Sequence, residues 1–485
     1  MRSILSVLNF LGGLLALFAL YFVPSILTAV ALGEHALIGF LIGAGVSGGL
    51  GLLLRAATWR YRGTLRPRDG YLLVSATWPA LAAVATIPLL LELPGLGFTD
   101  AFFETMSGLS TTGATVLVGL DALPRSVLLW RHALSWLGGM GVIVLAVAVL
   151  PLLGIGGMQI HRAETPGGLK HFSLGPRIAE TARLLWTVYA ILTAACFAAL
   201  WGAGMTPFDA LCHALSTLAL GGFSTHDANV AWFDSPLVEF VLVAFALLAA
   251  VNFTTHFLAL RRGELKLYAR DPEARWLIVW IGVSCVAVAL DIWLAGSYPG
   301  FFTALRHAVF NVVSFATSAG FIGADYTSWP VFAPMWMLLL ACLCASTGST
   351  GGGIKMFRSL VLIKQSLREM FTLVHPQAAL PLKVAHQVVP NRVVYGVLAY
   401  IFLYFMAIAF LTFALLASGL DFVSAFTAIV ACVNNVGAGL GIIGPQGNYA
   451  ALNVFQTWVC ALAMFVGRIE IITFAVLFTP TFWRK

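Results

Sequence analysis

The sequence predicts an all-α integral membrane protein in which one unit is repeated four times behind an N-terminal helix pair. The unit is a span, a short helix, a glycine loop and a second span. Three observations predict this. Residues are 60% hydrophobic and 10% charged, with a mean hydropathy of +0.93, whereas soluble domains carry about 25% charged residues. Apolar runs of about 20 residues, enough to cross a bilayer, recur along the whole chain. Four semi-apolar segments too short to span also run into glycine in the same way.

The spans lie near residues 7–30, 36–54, 71–93, 126–153, 183–204, 236–260, 276–297, 330–347, 393–418 and 452–479. The first is longer than a signal-peptide core and no small-x-small cleavage site follows it, so it is expected to remain as a membrane helix. Between them lie FTDAFFETMSGLSTTGATV, TPFDALCHALSTLALGGFSTHD, GFFTALRHAVFNVVSFATSAGFIGADY and LDFVSAFTAIVACVNNVGAGLGIIG. Each predicts about three helical turns ending on a glycine flanked by small or hydroxylated residues. The aligned glycines, Gly113, Gly222, Gly320 and Gly437, are 109, 98 and 117 residues apart. The expected divisions are therefore 1–68 for the helix pair, then 69–165, 166–265, 266–375 and 376–485 for the four repeats. Four units suffice to surround an axis.

Charge orients the chain. With the N-terminus inside, 23 Lys and Arg fall on inner loops and termini, against Arg125, Arg131 and Arg306 outside; this satisfies the positive-inside rule and puts both termini in the cytoplasm. Twelve acids, among them Glu34, Glu104, Asp121 and Glu239, are placed on the outer side, where they concentrate cations. Asp100, Asp209 and Asp421 are read as occupying one place, the start of the short helix, in three repeats. The basic residues are too few and too scattered for nucleic acid. The seven cysteines lie in apolar runs without CxxC and read as small core residues. The ten histidines show no metal-ligand spacing, and no catalytic constellation is present.

Irregular backbone at membrane depth must be buried in protein or line a water-filled cavity. Glycine permits left-handed backbone, so four such loops can turn carbonyl oxygens toward an axis and replace the hydration shell of a cation. The short helices present their partially negative C-terminal ends to the same place. An organic-solute carrier would use helix N-termini for a carboxylate instead. A secondary transporter of another cation or of a small organic solute, using discontinuous helices, stands as the alternative reading.

STTGATVLVGLDALP, LGGFSTHD, TSAGFIGADY, NNVGAGLG, WLGGMGVIVLAVAVLPLLGIGGMQIHRAETPG and STGGGIKMFR together resemble the TrkH branch of the Trk/Ktr/HKT potassium transporter superfamily over essentially the whole chain. The resemblance implies a single-chain, four-repeat pore for potassium ion, with no organic cofactor in this chain. It implies filter residues Thr111, Thr112, Gly113 and Ala114; Leu220, Gly221, Gly222 and Phe223; Thr317, Ser318, Ala319 and Gly320; and Asn435, Val436, Gly437 and Ala438. None has the TVGYG pattern, so weaker discrimination against sodium is expected. It further implies a homodimer in the cell inner membrane. Its implied partner is a cytoplasmic RCK-type regulatory subunit that binds NAD(H) or adenine nucleotides.

Two further features lie below the expected filter. The run Ser346, Thr347, Gly348, Ser349, Thr350, Gly351, Gly352, Gly353 cannot be continuous stable helix. Its likeness to a P-loop fails, because Lys355 is one place late and no Ser or Thr follows it. In the family such a loop is a gate. Arg468 lies inside the tenth span with Glu470. The resemblance implies that Arg468 faces the gate loop; the other reading is an Arg468–Glu470 structural pair. Asn252 and His256, four apart in the sixth span, read as helix-packing hydrogen bonders.

Overall fold

The computed structural model describes residues 2–61, 66–144, 177–378, 380–384 and 387–484. Arg62, Arg162, Glu164 and Lys170, the end of the fourth expected span and the 165/166 division lie outside the described residues.

The N-terminal segment forms one span from three stacked pieces, Arg2–Phe18, Ala19–Phe22 and Val23–Leu32. It packs along Leu37–Ala57 at glycine. A Cβ at Gly51 would strike the Ala16 backbone, and one at Gly12 would strike the Gly51 carbonyl. The backbones thus approach as small-residue membrane interfaces allow. Ser47 Oγ donates to Leu15 O at 2.8 Å. Tyr21 OH reaches Ala133 O at 2.5 Å, and the Phe22 ring packs tilted against the buried Trp130 with centroids 4.4 Å apart, docking the pair onto the first repeat.

The four short helices are Phe98–Leu109, Pro207–Ala219, Phe301–Ala316 and Phe422–Val433. All end in the same hydrogen-bonded motif. Thr112 N, Gly221 N, Ala319 N and Val436 N donate to the carbonyls of Ser107, Ser216, Ser314 and Ala431 at 2.8–2.9 Å. This is the six-to-one bond that closes a helix over a left-handed residue. The left-handed residues are Thr111, Leu220, Ser318 and Asn435, with φ of 53–65°, none of them glycine.

Six helices among the described residues are long and apolar enough to cross a membrane, or eight if each of two bent pairs is one span. The bent pairs correct the sixth and tenth expected spans. Pro236–Ala250 turns into Phe253–Arg262 by 97°, and Val454–Arg468 turns into Ile471–Phe478 by 107°. At the first bend, Asn252 Oδ1 accepts from Thr254 N at 2.8 Å and starts a new helix as its cap. At the second, Glu470 adopts φ 66°, and a Cβ at Gly467 would strike the Val433 carbonyl. The eighth expected span is helical only over Phe332–Leu343. Hydropathy sees neither bend, since each bent pair is apolar enough taken together to pass as one span.

The outer charges also rearrange. Glu104 and Arg131, expected outside, form a buried pair at 2.6 Å with side chains 0% and 1% exposed. Glu239 is likewise buried and meets Arg306 at 2.7 Å. Glu34 accepts from Arg125 N at 2.8 Å and Ser126 N at 3.0 Å, supplying a negative charge to the N-terminus of the fourth span. Asp100 and Asp209 sit in the first turns of their helices, whereas Asp421 is itself the N-cap. The expected shared place therefore holds for two repeats, and in the fourth it shifts outward.

Candidate functional site: a ring of four strands above a glycine loop

After each left-handed residue comes one of negative φ and then glycine at φ 63–77°. Alternating signs of φ turn successive carbonyls to one side of a strand instead of to opposite sides. The alternation also sets the register. Thr111, Leu220, Ser318 and Asn435 are equivalent, as are Gly113, Gly222, Gly320 and Gly437. In the third repeat the expected set is therefore displaced by one residue: Thr317 is the right-handed helix cap, and Phe321 occupies the place of Ala114, Phe223 and Ala438. Glycine two places after the turn was legible in sequence; the non-glycine left-handed residue was not.

The strands close into a ring in chain order. A Cβ at Gly113 would meet Gly221 O, one at Gly222 Ala319 O, one at Gly320 Val436 O, and one at Gly437 Thr112 O, all within 3.0 Å. Every glycine thus lies against the carbonyl of the residue before the next glycine. The strand residues Thr111, Thr112, Leu220, Ser318, Ala319, Asn435 and Val436 are buried, yet their carbonyls accept no hydrogen bond from a described residue. The eighth carbonyl of these two layers, Gly221 O, takes Phe223 N at 2.8 Å. Buried backbone groups are almost always paired, so this layer of oxygen calls for water or a cation. At the glycine layer, Asn229 Nδ2 donates to Gly222 O at 3.2 Å and Tyr449 OH to Gly437 O at 3.0 Å. Neither residue was singled out in sequence. Asn229 Oδ1 also accepts from Ile322 N at 3.2 Å, which ties the second strand to the third.

The Glu104–Arg131 pair braces the outer end of the first two strands. Glu104 accepts from Thr115 Oγ1 and Val116 N at 3.0 Å, and the Arg131 guanidinium lies 4.3 Å from the Phe223 ring centroid. Two charges at this depth need such multiple partners.

The 346–353 loop meets three repeats at the opposite end of the strands. A Cβ at Gly351 would come within 2.9 Å of Thr317 O, and one at Gly352 would strike the Asn434 carbonyl. Thr350 Oγ1 donates to Leu218 O at 3.0 Å. The loop is held from behind: Ser346 N donates to Ala250 O at 3.1 Å, Phe253 N to Gly348 O at 3.2 Å and Thr347 N to Glu273 Oε2 at 2.7 Å. Ser349 Oγ donates to Ser346 O at 2.6 Å. Lys355, at φ 75°, turns its ammonium back onto Gly351 O. Glu273 and Asn434 were not anticipated from sequence. Asn252, expected to serve packing, caps the bent sixth span and abuts Gly348 through its amide. His256 does pack as expected, bonded to Tyr268 OH and Leu248 O at 2.8 Å each.

Arg468 is buried and donates to Thr350 O at 2.8 Å and to Gly138 O at 3.0 Å. The Arg468–Glu470 pair does not form. Glu470 instead meets Arg358 at 2.8 Å, whose guanidinium lies 3.9 Å from the Tyr400 ring centroid.

The family described as "TrkH: Cation transport protein" matches residues 48–485. The chain is 46% identical over 440 residues to the Trk system potassium uptake protein TrkH of Salmonella typhimurium, covering 90% of each chain. It is 42% identical over 484 residues to that of Halomonas elongata, covering all of both. The crystal structure of the potassium transporter TrkH from Vibrio parahaemolyticus superposes with a TM-score of 0.92 at 40% identity, covering 99% of this chain and all of that one. A membrane protein built of helices, with a ring of strands matched in four repeats, this chain belongs to the TrkH family of cation transport proteins.

Proposed function

We propose that the chain takes up potassium across the cell inner membrane through a pore along the axis of the four strands. The observation that carries this reading is the layer of buried strand carbonyls without hydrogen-bond donors, arranged in a closed ring. A dehydrated K+ there exchanges water oxygens for carbonyl oxygens, and four helix C-termini add negative potential. The same helix direction speaks against a carrier of organic anions. The layer formed by Thr111, Leu220, Ser318 and Asn435, the next by Thr112, Gly221, Ala319 and Val436, and the glycine layer above them serve as the filter.

The loop 346–353 is the gate. It lies against the inner ends of the strands, and the Arg468 guanidinium adds a positive barrier in a region of low dielectric while tethering the loop to Gly138 of the first repeat. Opening requires the loop to leave Thr317 and Asn434, with the bond from Arg468 to Thr350 broken. A cytoplasmic RCK-type subunit that binds NAD(H) or adenine nucleotide drives that step from the basic face, where both termini lie, and the membrane subunit works as a homodimer. Rubidium uptake into proteoliposomes of the purified protein tests the reading, with K+, Na+ and Li+ as competitors. Uptake competed by K+ far more than by Na+ or Li+ is expected; absence of cation flux from folded protein overturns it.

A further inference from the structure

We propose that the chain carries an anionic-phospholipid site at the far end of the helix that follows the glycine loop. A cleft of about 270 Å³ opens between that helix, Met356–Val374, and the segment leading into the two-stranded hairpin Lys383–Val384 and Gln387–Val388. Its lining combines three cations, Lys364, Arg368 and Lys383, with an apolar wall that includes Leu367, Phe371 and Leu380, and it holds no carboxylate. The cations are positioned by the fold. Lys364 Nζ donates to Lys383 O at 2.6 Å, which fastens the hairpin to the helix and leaves two ammonium protons free. Arg368 reaches Asn391 Oδ1 at 3.3 Å, and its one carboxylate partner among the described residues, Glu369, is 3.9 Å away with a side chain 61% exposed.

The chemistry selects the occupant. Three basic groups at one cleft recognise a phosphate, and an adjoining apolar wall has no use for a fully hydrated anion. The same helix exposes Ile363, Leu367, Met370, Phe371, Leu373 and Val374, a face that requires apolar cover. The cleft belongs to the basic side of the chain, where the positive-inside rule puts the cytoplasm, and basic pockets on that side suit anionic headgroups. A glycerophospholipid fits both halves, with its phosphate on Lys364, Arg368 and Lys383 and an acyl chain along Leu367 and Phe371. Arg368 lies about 20 Å along the helix from Lys355, so the lipid would hold one end of a rigid rod whose other end continues into the glycine loop.

Native mass spectrometry of the detergent-purified protein with phosphatidylglycerol or phosphatidylcholine tests the site. The triple variant Lys364→Gln, Arg368→Gln, Lys383→Gln is expected to lose about a hundredfold in affinity for phosphatidylglycerol while retention of phosphatidylcholine stays unchanged. The charge-retaining pair Lys364→Arg with Arg368→Lys is expected to bind as wild type. Lys383→Gln alone, on the exposed hairpin, reads the same contact with the least risk to folding and is expected to lose about fivefold. Arg261→Gln with Arg262→Gln, at the exposed end of another helix, serves as the comparison. Equal retention in the triple variant and wild type would overturn the site. So would an equal loss in the Arg261 and Arg262 variant, which would mark the binding as nonspecific charge. Complete displacement of phosphatidylglycerol by excess inorganic phosphate would assign the cleft to free phosphate and overturn the lipid.

Discussion

The strands and the second spans of the repeats obey opposite rules. In the strands, four short sequences, TTG, LGG, SAG and NVG, share one alternation of φ, positive, negative, positive, and are closed by the same six-to-one bond. In the second spans the symmetry is lost. The second repeat bends at Val251 and Asn252, the third opens into a twelve-residue glycine-rich excursion between Leu343 and Met356, and the fourth bends at Ile469 and Glu470. The difference teaches where equivalence is needed. On the proposed reading, a ring of carbonyls works only if its members match, whereas an obstruction across an axis needs one long element and neighbours shaped to receive it.

The largest expected effect breaks the strand symmetry from outside. Glu104→Ala leaves Arg131 buried without its carboxylate, at a cost of about 3–5 kcal/mol, and should lower thermal stability and yield more than any strand variant. Within the ring, Gly320→Ala forces a methyl into the Val436 carbonyl at a left-handed position. Strain of about 1–3 kcal/mol corresponds to a loss of about ten- to a hundredfold in Rb+ uptake. Gly222→Ala meets its neighbour less closely, at 2.8 Å, and should lose less; equal losses would show that ring geometry does not set the effect.

On the asymmetric side, Arg468→Ala removes a charged hydrogen bond to the loop worth about 1.5–3 kcal/mol and should raise basal flux about tenfold or more while lowering the melting temperature. Arg358→Ala should lower stability by a similar amount, about 2 kcal/mol, with no gain in flux. A rise in flux for Arg358→Ala and none for Arg468→Ala would exchange their assigned roles.

The smallest effect concerns Asp421, which caps the fourth short helix through Ser424 N at 3.0 Å. That backbone bond holds its carboxyl below the usual aspartate range. Asp421→Ala should cost about 1 kcal/mol at neutral pH. A carboxyl depressed in the folded state stabilises above its unfolded pKa, and the contribution is lost as pH falls through the folded value. The gap in melting temperature between wild type and variant should therefore close in acid; a gap constant with pH would place the effect elsewhere than in the charge.

Membrane class, repeat number and the position of the glycines were determined by the sequence alone, because apolar length and a recurring glycine are properties of local composition. So was the glycine-rich loop, since Ser346 to Gly353 cannot sustain a helix. Tertiary structure alone decided the rest. Non-glycine residues such as Leu220 and Asn435 are held left-handed by the bond that closes each helix, and the register of the third strand follows from that bond. Glu104 and Arg131 sit in a short helix and a span whose charges count to the outer side, and only packing buries them together. Arg468 lies two residues from Glu470, too close along the chain to face it, and its partners are 118 and 330 residues away. Such pairings depend on which elements meet around the axis, which no local pattern records.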